Sequence, residues 1–221
     1  EFRPQLPSVG EAVGKAIESR NHPVILADVG DNIGAGTPGD GTFILRELVE
    51  QNADSAVLII ADPESVDRAI QFGVGQIADF LVGGKTDKFH GEPVAVKARV
   101  KLVSDGVFQN RGHMRDGIVE DMGRTAVVES RGLKIVLTER KMPPWNIEQL
   151  RSVGITPEHE KIIVLKSAVA FRAAYESIAG EIIEVNTPGL STIDLEQFTF
   201  KNIRRPIFPF DGVKADPAGQ C

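Results

Sequence analysis

The strongest constraint on the fold is an alternation between short apolar segments and amphipathic helical patterns. Residues 23–29 (PVILADV) and 55–61 (SAVLIIA) contain apolar, β-rich runs, which are typical of strands buried on both faces of a sheet. Each run is followed by a loop and then by a helical pattern, at residues 42–49 and 65–72. Repetition of strand, loop and helix predicts parallel βαβ units.

The middle of the chain has a different pattern. Residues 93–103 alternate apolar and polar side chains, which indicates a long strand with one solvated face. Residues 125–130 and 133–137 flank Arg131-Gly132 and predict a hairpin. We therefore expect an antiparallel β-meander over 93–138, inserted in a mostly parallel sheet with flanking helices.

The α/β pattern returns after the meander. Apolar runs predict strands at 161–166 and 181–185, and helical patterns cover 145–152 and 168–178. The fold class is thus α/β, in a single domain over 1–221.

The ends of the chain and two helix starts give further local predictions. Residues 1–20 are expected to form a leading helix or linker, in which Ser8 begins an S-x-x-E capping pattern. We expect Asp62 to cap the helix at 65–72 and Asp40 to cap the helix at 42–49. Residues 204–221 are rich in proline and aromatic side chains and are predicted to lie extended over the surface.

Composition excludes several classes of protein. The 221 residues carry a net charge of −6, whereas a nucleic-acid binder usually has a basic face. No apolar run approaches the roughly 18 residues of a membrane span. The single cysteine is Cys221, so neither an intrachain disulfide nor a cysteine-rich zinc site is expected. We see no signal peptide and expect a cytoplasmic protein that binds neither nucleic acid nor membrane.

Histidine and nucleophile patterns give no self-contained catalytic site. The four histidines, which we expect in exposed loops, form no H-E-x-x-H motif, and they are His22, His90, His113 and His159. Ser167 lies at a strand end without a G-x-S-x-G motif. We therefore expect no metal site in this chain.

The glycine-rich loop 30–41 is the densest feature. It lies at the carboxyl end of a predicted strand, where ligands bind in α/β sheets. Asp28, Asp31 and Asn32 could orient a cationic or metal-bound group or hydrogen-bond a peptide-like substrate. They could equally be structural, with Asp31 and Asn32 forming Asx-turns.

A nucleotide- or phosphate-binding module is the alternative function. Gly34, Gly36 and Gly39 satisfy the dinucleotide-binding pattern G-x-G-x-x-G. Against it, Pro38 lacks an N–H to donate, and the nearby carboxylates would repel a pyrophosphate.

Basic residues at strand ends are candidates for binding an anion. They are Arg140, Lys141 and Lys166, although each taken singly is more often a solvated surface charge.

A D-x-x-D-N loop at 28–32 and a G-D-x-T helix start at 39–42 belong to a series of segments that runs in order from about residue 21 to 209. This series resembles the C-terminal domain of the microcystinase C family, the M81-type metallopeptidases, and these two motifs carry most of the likeness. Weaker matches continue along the chain at 83–85, Met114 with Gly117, 123–126, 135–138, 154–155, 161–167, 171–174 and 188–189.

Two segments depart from the family pattern. Residues 167–171 (SAVAF) lack an expected histidine, and 142–146 (MPPWN) lack an expected Gln and Asp. If these line the cleft, substrate choice has changed or the site is degraded.

The resemblance implies that this chain, which does not begin with Met, is the C-terminal half of a longer bilobal enzyme. Zinc would be held by an N-terminal metal-binding domain, without which we expect the chain to be inactive. That domain and a small peptide or amide substrate are the expected partners, and a homodimer stays open.

Within that resemblance, the candidate residues receive expected roles. Asp28, Asp31 and Asn32 would serve catalysis by hydrogen bonding or charge orientation. Arg140 or Lys166 would bind a substrate carboxylate. Gly34, Gly36 and Ser167 complete the expected substrate-binding set.

Overall fold

The computed structural model describes residues 5–112, 114–208 and 210–211. Within these ranges the chain forms five α-helices: α1 Val9–Glu18, α2 Phe43–Glu50, α3 Pro63–Phe72, α4 Glu148–Arg151 and α5 Arg172–Tyr175. The same ranges contain ten strands: β1 Val24–Asp28, β2 Ala56–Ala61, β3 Ile77–Val82, β4 Val94–Ser104, β5 Val107–Gln109, β6 Val119–Asp121, β7 Thr125–Ser130, β8 Leu133–Thr138, β9 Ile162–Leu165 and β10 Glu181–Val185.

Eight of these strands form one sheet in the order β10-β1-β9-β2-β8-β7-β4-β3. The pairs from β10 to β8 are parallel, and those from β8 to β3 are antiparallel. Strands β5 and β6 form a separate antiparallel ribbon. The predicted α/β fold class is confirmed. The predicted meander is continuous with the parallel strands, because β8 pairs in parallel with β2.

Two apolar layers cover the faces of the sheet. Along β1, Val24 and Leu26 pack with residues of α1, α2 and α3. The alternate residues Ile25 and Ala27 pack on the other face with residues of α4 and α5. All five residues of β1 are buried, which explains why its sequence is a continuous apolar run.

Local side chains start two helices as predicted and a third differently. Ser8 and Glu11 form the predicted capping box of α1. Asp62 caps α3, because its Oδ1 accepts the backbone N–H of Ser65 at 3.0 Å. The prediction for Asp40 was wrong. Helix α2 has Thr42 as its N-cap residue, and Asp40 Oδ2 instead accepts backbone N–H groups from the loop after β3.

Three segments differ from the predicted secondary structure. Strand β3 was not predicted, because its solvent-facing residues Ile77 and Leu81 are apolar and blur the alternation of an edge strand. The helices predicted at 145–152 and 168–178 contain only four α-helical residues each, in α4 and α5. Turns take up much of the rest of both segments.

The described part of the tail, 204–208 and 210–211, contains neither helix nor strand, and the rest of the predicted tail lies outside the described residues. Among the helices of the described residues, none combines the length and apolar character that crossing a membrane would require.

Candidate functional site

The candidate site lies where three adjacent parallel strands end. In the order β10-β1-β9, the strands end at Val185, Asp28 and Leu165. The polar residues at or just after these ends are Thr187, Asp28 and Lys166, and the parallel register brings them to one edge of the sheet. Ligands bind beyond this edge in open α/β sheets.

Lys166 lies at the centre of a buried ion-pair network. Its Nζ lies 3.0 Å from Asp28 Oδ2 and 2.9 Å from Asp31 Oδ2, and it donates to the carbonyl oxygen of Gly41 at 2.8 Å. The side chains of Lys166, Asp28 and Asp31 are at most 4% exposed. Three bonds match the three donors of an ammonium group, so the charge of Lys166 is fully used inside the protein.

Electrostatic interactions keep Asp31 and Lys166 of this network charged. Burial raises the pKa of Asp31, but the Lys166 ammonium and then the backbone N–H of Gly41 outweigh it, and the pKa falls to about 2. Burial lowers the pKa of Lys166, but the carboxylates of Asp28 and Asp31 more than offset this, and the pKa lies above its ordinary value. Both groups are therefore ionised at neutral pH.

The two aspartates also fold the glycine-rich loop. Asp31 accepts the backbone N–H groups of Gly39 at 2.9 Å and Gly41 at 2.7 Å. Asp28 Oδ1 accepts the hydroxyl of Thr187 at 2.6 Å and the backbone N–H of Asp31 at 3.2 Å. Both carboxylates thus point into the protein, and they fix the loop that carries Asn32.

The exposed part of the loop is the turn that follows Asn32. Asn32 is half-buried, and its Oδ1 accepts the N–H of Gly34 at 3.1 Å, which caps a 3₁₀ turn at Ile33–Ala35. Gly36 ends this turn at φ 100°, a conformation that favours glycine. Gly34 and Gly36 are exposed, so the structure presents this turn to solvent.

Lys141 holds the far side of the same turn. Its Nζ donates to the carbonyl oxygens of Gly36 at 3.1 Å and Thr37 at 2.8 Å. Of the three basic residues considered from the sequence, Lys141 and Lys166 therefore bind the glycine-rich loop.

His90 belongs to this site, and sequence reasoning missed it. Its side chain is fully buried, with Nδ1 2.8 Å from Asp87 Oδ1 and Nε2 3.7 Å from Asp31 Oδ1. The expectation of an exposed loop histidine was wrong for His90. His22 and His159 are exposed as expected, although His159 ends a short 3₁₀ helix at Pro157–His159, and His113 lies outside the described residues.

A second polar cluster joins the loop after β3 to the glycine-rich loop and to the end of β2. Asp62 Oδ2 accepts the N–H of Gly83 at 2.9 Å, and its Oδ1 lies 3.0 Å from Lys85 Nζ. Asp40 Oδ2 accepts the N–H groups of Lys85 and Thr86, each at 2.9 Å. Buried Asp40 Oδ1 has no hydrogen-bond partner. The glycine-rich turn at 83–84 is thus an anchor for the loop that carries His90.

Two candidate residues take no part in the ion-pair network. Arg140 has a side chain 60% exposed, and it pairs with Asp121 beside the β5–β6 ribbon. Ser167 directly follows Lys166 but is buried, and its backbone N–H donates to Leu165.

The geometry leaves few donors for a phosphate at the glycine-rich loop. The N–H of Gly34 donates to Asn32, and those of Gly39 and Gly41 donate to Asp31. The N–H of Gly36 donates to the carbonyl oxygen of Ile33. Because these groups are already bound, the alternative of a nucleotide- or phosphate-binding module finds no support here.

A cavity of about 610 Å³ lies elsewhere, between the end of α2 and strands β4 and β8. Leu48 and Leu133 are among its lining residues, whereas the residues of the strand-end site are not. We therefore place the candidate site at the strand ends, where buried charges and an exposed loop meet. Within residues 5–112, 114–208 and 210–211, no group of three or more His, Cys, Asp or Glu could hold a metal ion. The described residues do not fit a zinc centre of their own.

Comparison with protein families gives a match over most of the chain. Residues 26–202 match the family described as "MlrC C-terminus".

Two similar proteins are both much longer than this chain. Microcystinase C of Sphingomonas sp. is 26% identical over 193 residues, which are 87% of this chain and 36% of that protein. The crystal structure of a "Putative metallopeptidase" from Mesorhizobium sp. BNC1 superimposes with a TM-score of 0.85 at 28% identity, over 97% of this chain and 43% of that one. The chain thus spans less than half the length of either relative.

Proposed function

Because the chain belongs to the family of MlrC C-terminal domains, we propose that it forms one wall of the active-site cleft in a longer zinc-dependent peptidase or amidase. The remainder of that longer protein would hold the zinc, since the described residues here provide no ligand cluster. When bound, zinc supplies an activated water and polarises the substrate carbonyl. A small peptide or amide is the proposed substrate.

The observation that carries this proposal is the exposed turn at 32–36, held by a buried network. The Lys166–Asp28–Asp31 ion pairs fix the loop from inside, and Lys141 fixes it from the side. A loop held in one conformation positions a substrate better than a free loop does. Asn32 provides amide N–H donors at the start of this turn, and a substrate carbonyl is a suitable acceptor for them.

The candidate residues accordingly receive different roles. We assign direct substrate contact to Asn32, Gly34 and Gly36, and positioning of their loop to Asp28 and Asp31. A substrate carboxylate would have to displace both aspartates to reach Lys166. Arg140 is paired with a single carboxylate, that of Asp121, and both side chains are exposed, so Arg140 is the better candidate for that contact.

Exposed apolar side chains on loops beyond the strand ends support a cleft on this side. Phe89 is 42%, Val169 66% and Leu190 48% exposed. Large apolar residues left in solvent often mark a surface that meets another domain or a ligand.

The test is Asn32→Ala in the full-length protein, with Asn21→Ala as a matched change at an exposed position outside the site. Loss of one hydrogen bond to the reacting amide should lower kcat/KM for peptide hydrolysis by about tenfold or more. An Asn32→Ala enzyme within about threefold of wild type would refute substrate contact by Asn32.

A further inference from the structure

His90 joins three separate loops at the strand-end edge. Its Nδ1 faces Asp87 of its own loop, and its Nε2 accepts the backbone N–H of Leu190 at 3.2 Å. Its carbonyl oxygen accepts the backbone N–H of Thr42 at 2.9 Å, at the end of the glycine-rich loop. The fully buried ring thus links the loops after β3 and β10, and the backbone carbonyl of the same residue adds the loop after β1.

The hydrogen bonds define which ring nitrogen carries the proton. A backbone N–H can only donate, so the bond from Leu190 requires a lone pair on Nε2. The proton then lies on Nδ1, which faces both carboxylate oxygens of Asp87 at 2.8 and 2.9 Å. Asp87 is therefore the group that selects this tautomer.

The segment held by His90 leads directly to Asn32. Ser191 follows Leu190, and its Oγ accepts the backbone N–H of Asn32 at 2.9 Å. The same hydroxyl donates to the carbonyl oxygen of Val29 at 2.7 Å. At Gly189, an added Cβ would lie 2.2 Å from the carbonyl oxygen of Gly30, so this segment packs tightly against the loop that begins with Gly30.

We propose that His90 is a positioning residue for Asn32, which it reaches through Leu190 and Ser191. The inference rests on the proposed function in one respect, that Asn32 is the group that meets the substrate. In its Nδ1–H form, His90 fixes the Leu190 N–H. This places the Ser191 hydroxyl where the Asn32 backbone requires it.

Two amide variants separate the two ring nitrogens. In His90→Gln, the longer side chain brings a carbonyl oxygen to the place of Nε2 and can accept from Leu190. In His90→Asn, the side-chain amide overlaps Nδ1, so it can keep the hydrogen bond to Asp87, but it leaves the backbone N–H of Leu190 without an acceptor.

Amide hydrogen exchange, measured by NMR on this chain, tests these two variants. In His90→Asn we expect exchange at Leu190 and Asn32 to be at least about tenfold faster, and near wild type in His90→Gln. Unchanged exchange at Asn32 in a folded His90→Asn chain would overturn the proposal.

Two measurements keep the proposal testable if His90→Asn does not fold. In the wild-type chain, the ¹⁵N spectrum of the His90 ring should show the Nδ1–H tautomer, and an Nε2–H tautomer would overturn the proposal. Ser191→Ala should accelerate exchange at Asn32 and leave Leu190 protected. If the exchange rate of the Asn32 amide is unchanged in Ser191→Ala, the proposed link from Ser191 to Asn32 is excluded.

Activity of the full-length protein distinguishes the two proposals. His90→Asn should lower kcat/KM by up to about 100-fold, since a displacement of about 1 Å in a group that contacts the substrate can cost that much. His90→Gln should retain most of the wild-type kcat/KM. If Asn32→Ala has no effect on hydrolysis while the exchange results hold, only the proposed function fails. If Asn32→Ala lowers hydrolysis while the exchange rate of the Asn32 amide is unchanged in His90→Asn, only the positioning role of His90 fails.

Discussion

The two ends of strand β9 carry the same kind of contact in opposite surroundings. Lys161 precedes the strand and pairs with Asp54 at 2.9 Å, with side chains 46% and 67% exposed. Lys166 follows the strand and pairs with Asp28 and Asp31 at 3.0 and 2.9 Å, with side chains at most 4% exposed. Distance alone would rank these ion pairs as equals.

Burial separates their consequences. When an exposed pair forms, contacts with water are replaced by a contact within the protein, at little net gain in free energy. A buried pair has already lost its water, so removal of one partner leaves an uncompensated charge. We therefore expect the free energy of unfolding to depend strongly on the lysine at the C-terminal end of β9 and weakly on the lysine at its N-terminal end.

The largest expected effect is that of Lys166→Met. The change keeps an apolar stem of similar size and leaves Asp28 and Asp31 as neighbouring buried carboxylates without a cation. We expect a loss of about 3–5 kcal/mol in the free energy of unfolding, measured by urea denaturation. A loss below about 1 kcal/mol would show that the two ends of β9 are not different in kind.

Acid stability should show the same difference as a pH dependence. The pKa of Asp31 is about 2 in the folded chain, below its ordinary 3.8. Because folding lowers this pKa, the contribution is fully present above about pH 4 and is lost as pH falls towards 2. By linkage it amounts to about 2 kcal/mol.

The check compares wild type with Asp31→Asn in urea denaturation between pH 6 and pH 2. Wild type should lose more free energy of unfolding in the lower part of this range than the variant, which has no carboxylate at that position. Parallel losses in the two proteins would mean that Asp31 is not specially stabilised as an anion.

These charges also show how far the sequence predicts the site. The apolar runs at 23–29 and 161–166 predict β1 and β9, and the strand-end rule then identifies Asp28 and Lys166 as residues at one edge. The pairing of β1 with β9 joins residues far apart in sequence, and no local pattern contains it. The sequence could therefore offer Lys166 as an anion site, although the fold uses its charge internally.

His90 and Thr187 were missed for a related physical reason. His90 lies in the loop after β3. This edge strand has an apolar outer face, so its sequence does not alternate between apolar and polar residues and the strand was not predicted. Thr187 follows β10, and only the parallel pairing of β10 with β1 brings its hydroxyl to Asp28. Non-local contacts of this kind depend on strand order, which the chain specifies through the whole core and not through a motif.

An intermediate effect is expected from Thr187→Val, which preserves shape and removes one hydroxyl. The hydroxyl donates to Asp28 at 2.6 Å and accepts the N–H of Gly30 at 2.7 Å. Both groups are buried and would lose a partner. We expect a loss of about 1–3 kcal/mol in urea denaturation. Thr192→Val is the control, at a buried threonine of the same loop whose hydroxyl accepts the backbone N–H of Asp194 at 3.1 Å and makes no contact with Asp28. Equal losses in both variants would argue against a special role for the Asp28 contact.

The smallest effect should come from Lys161→Met, the matched change at the other end of β9. Lys161 and Asp54 remain in contact with water, so the expected loss is at most about 1 kcal/mol. Because salt screens exposed charges, this difference between wild type and variant should shrink further between 0.05 and about 1 M NaCl. The difference produced by Lys166→Met should persist over the same range, since the ion pairs there are shielded from solvent ions. A Lys161→Met loss that is large and independent of salt would place both ends of β9 in the same class and remove the distinction on which the site rests.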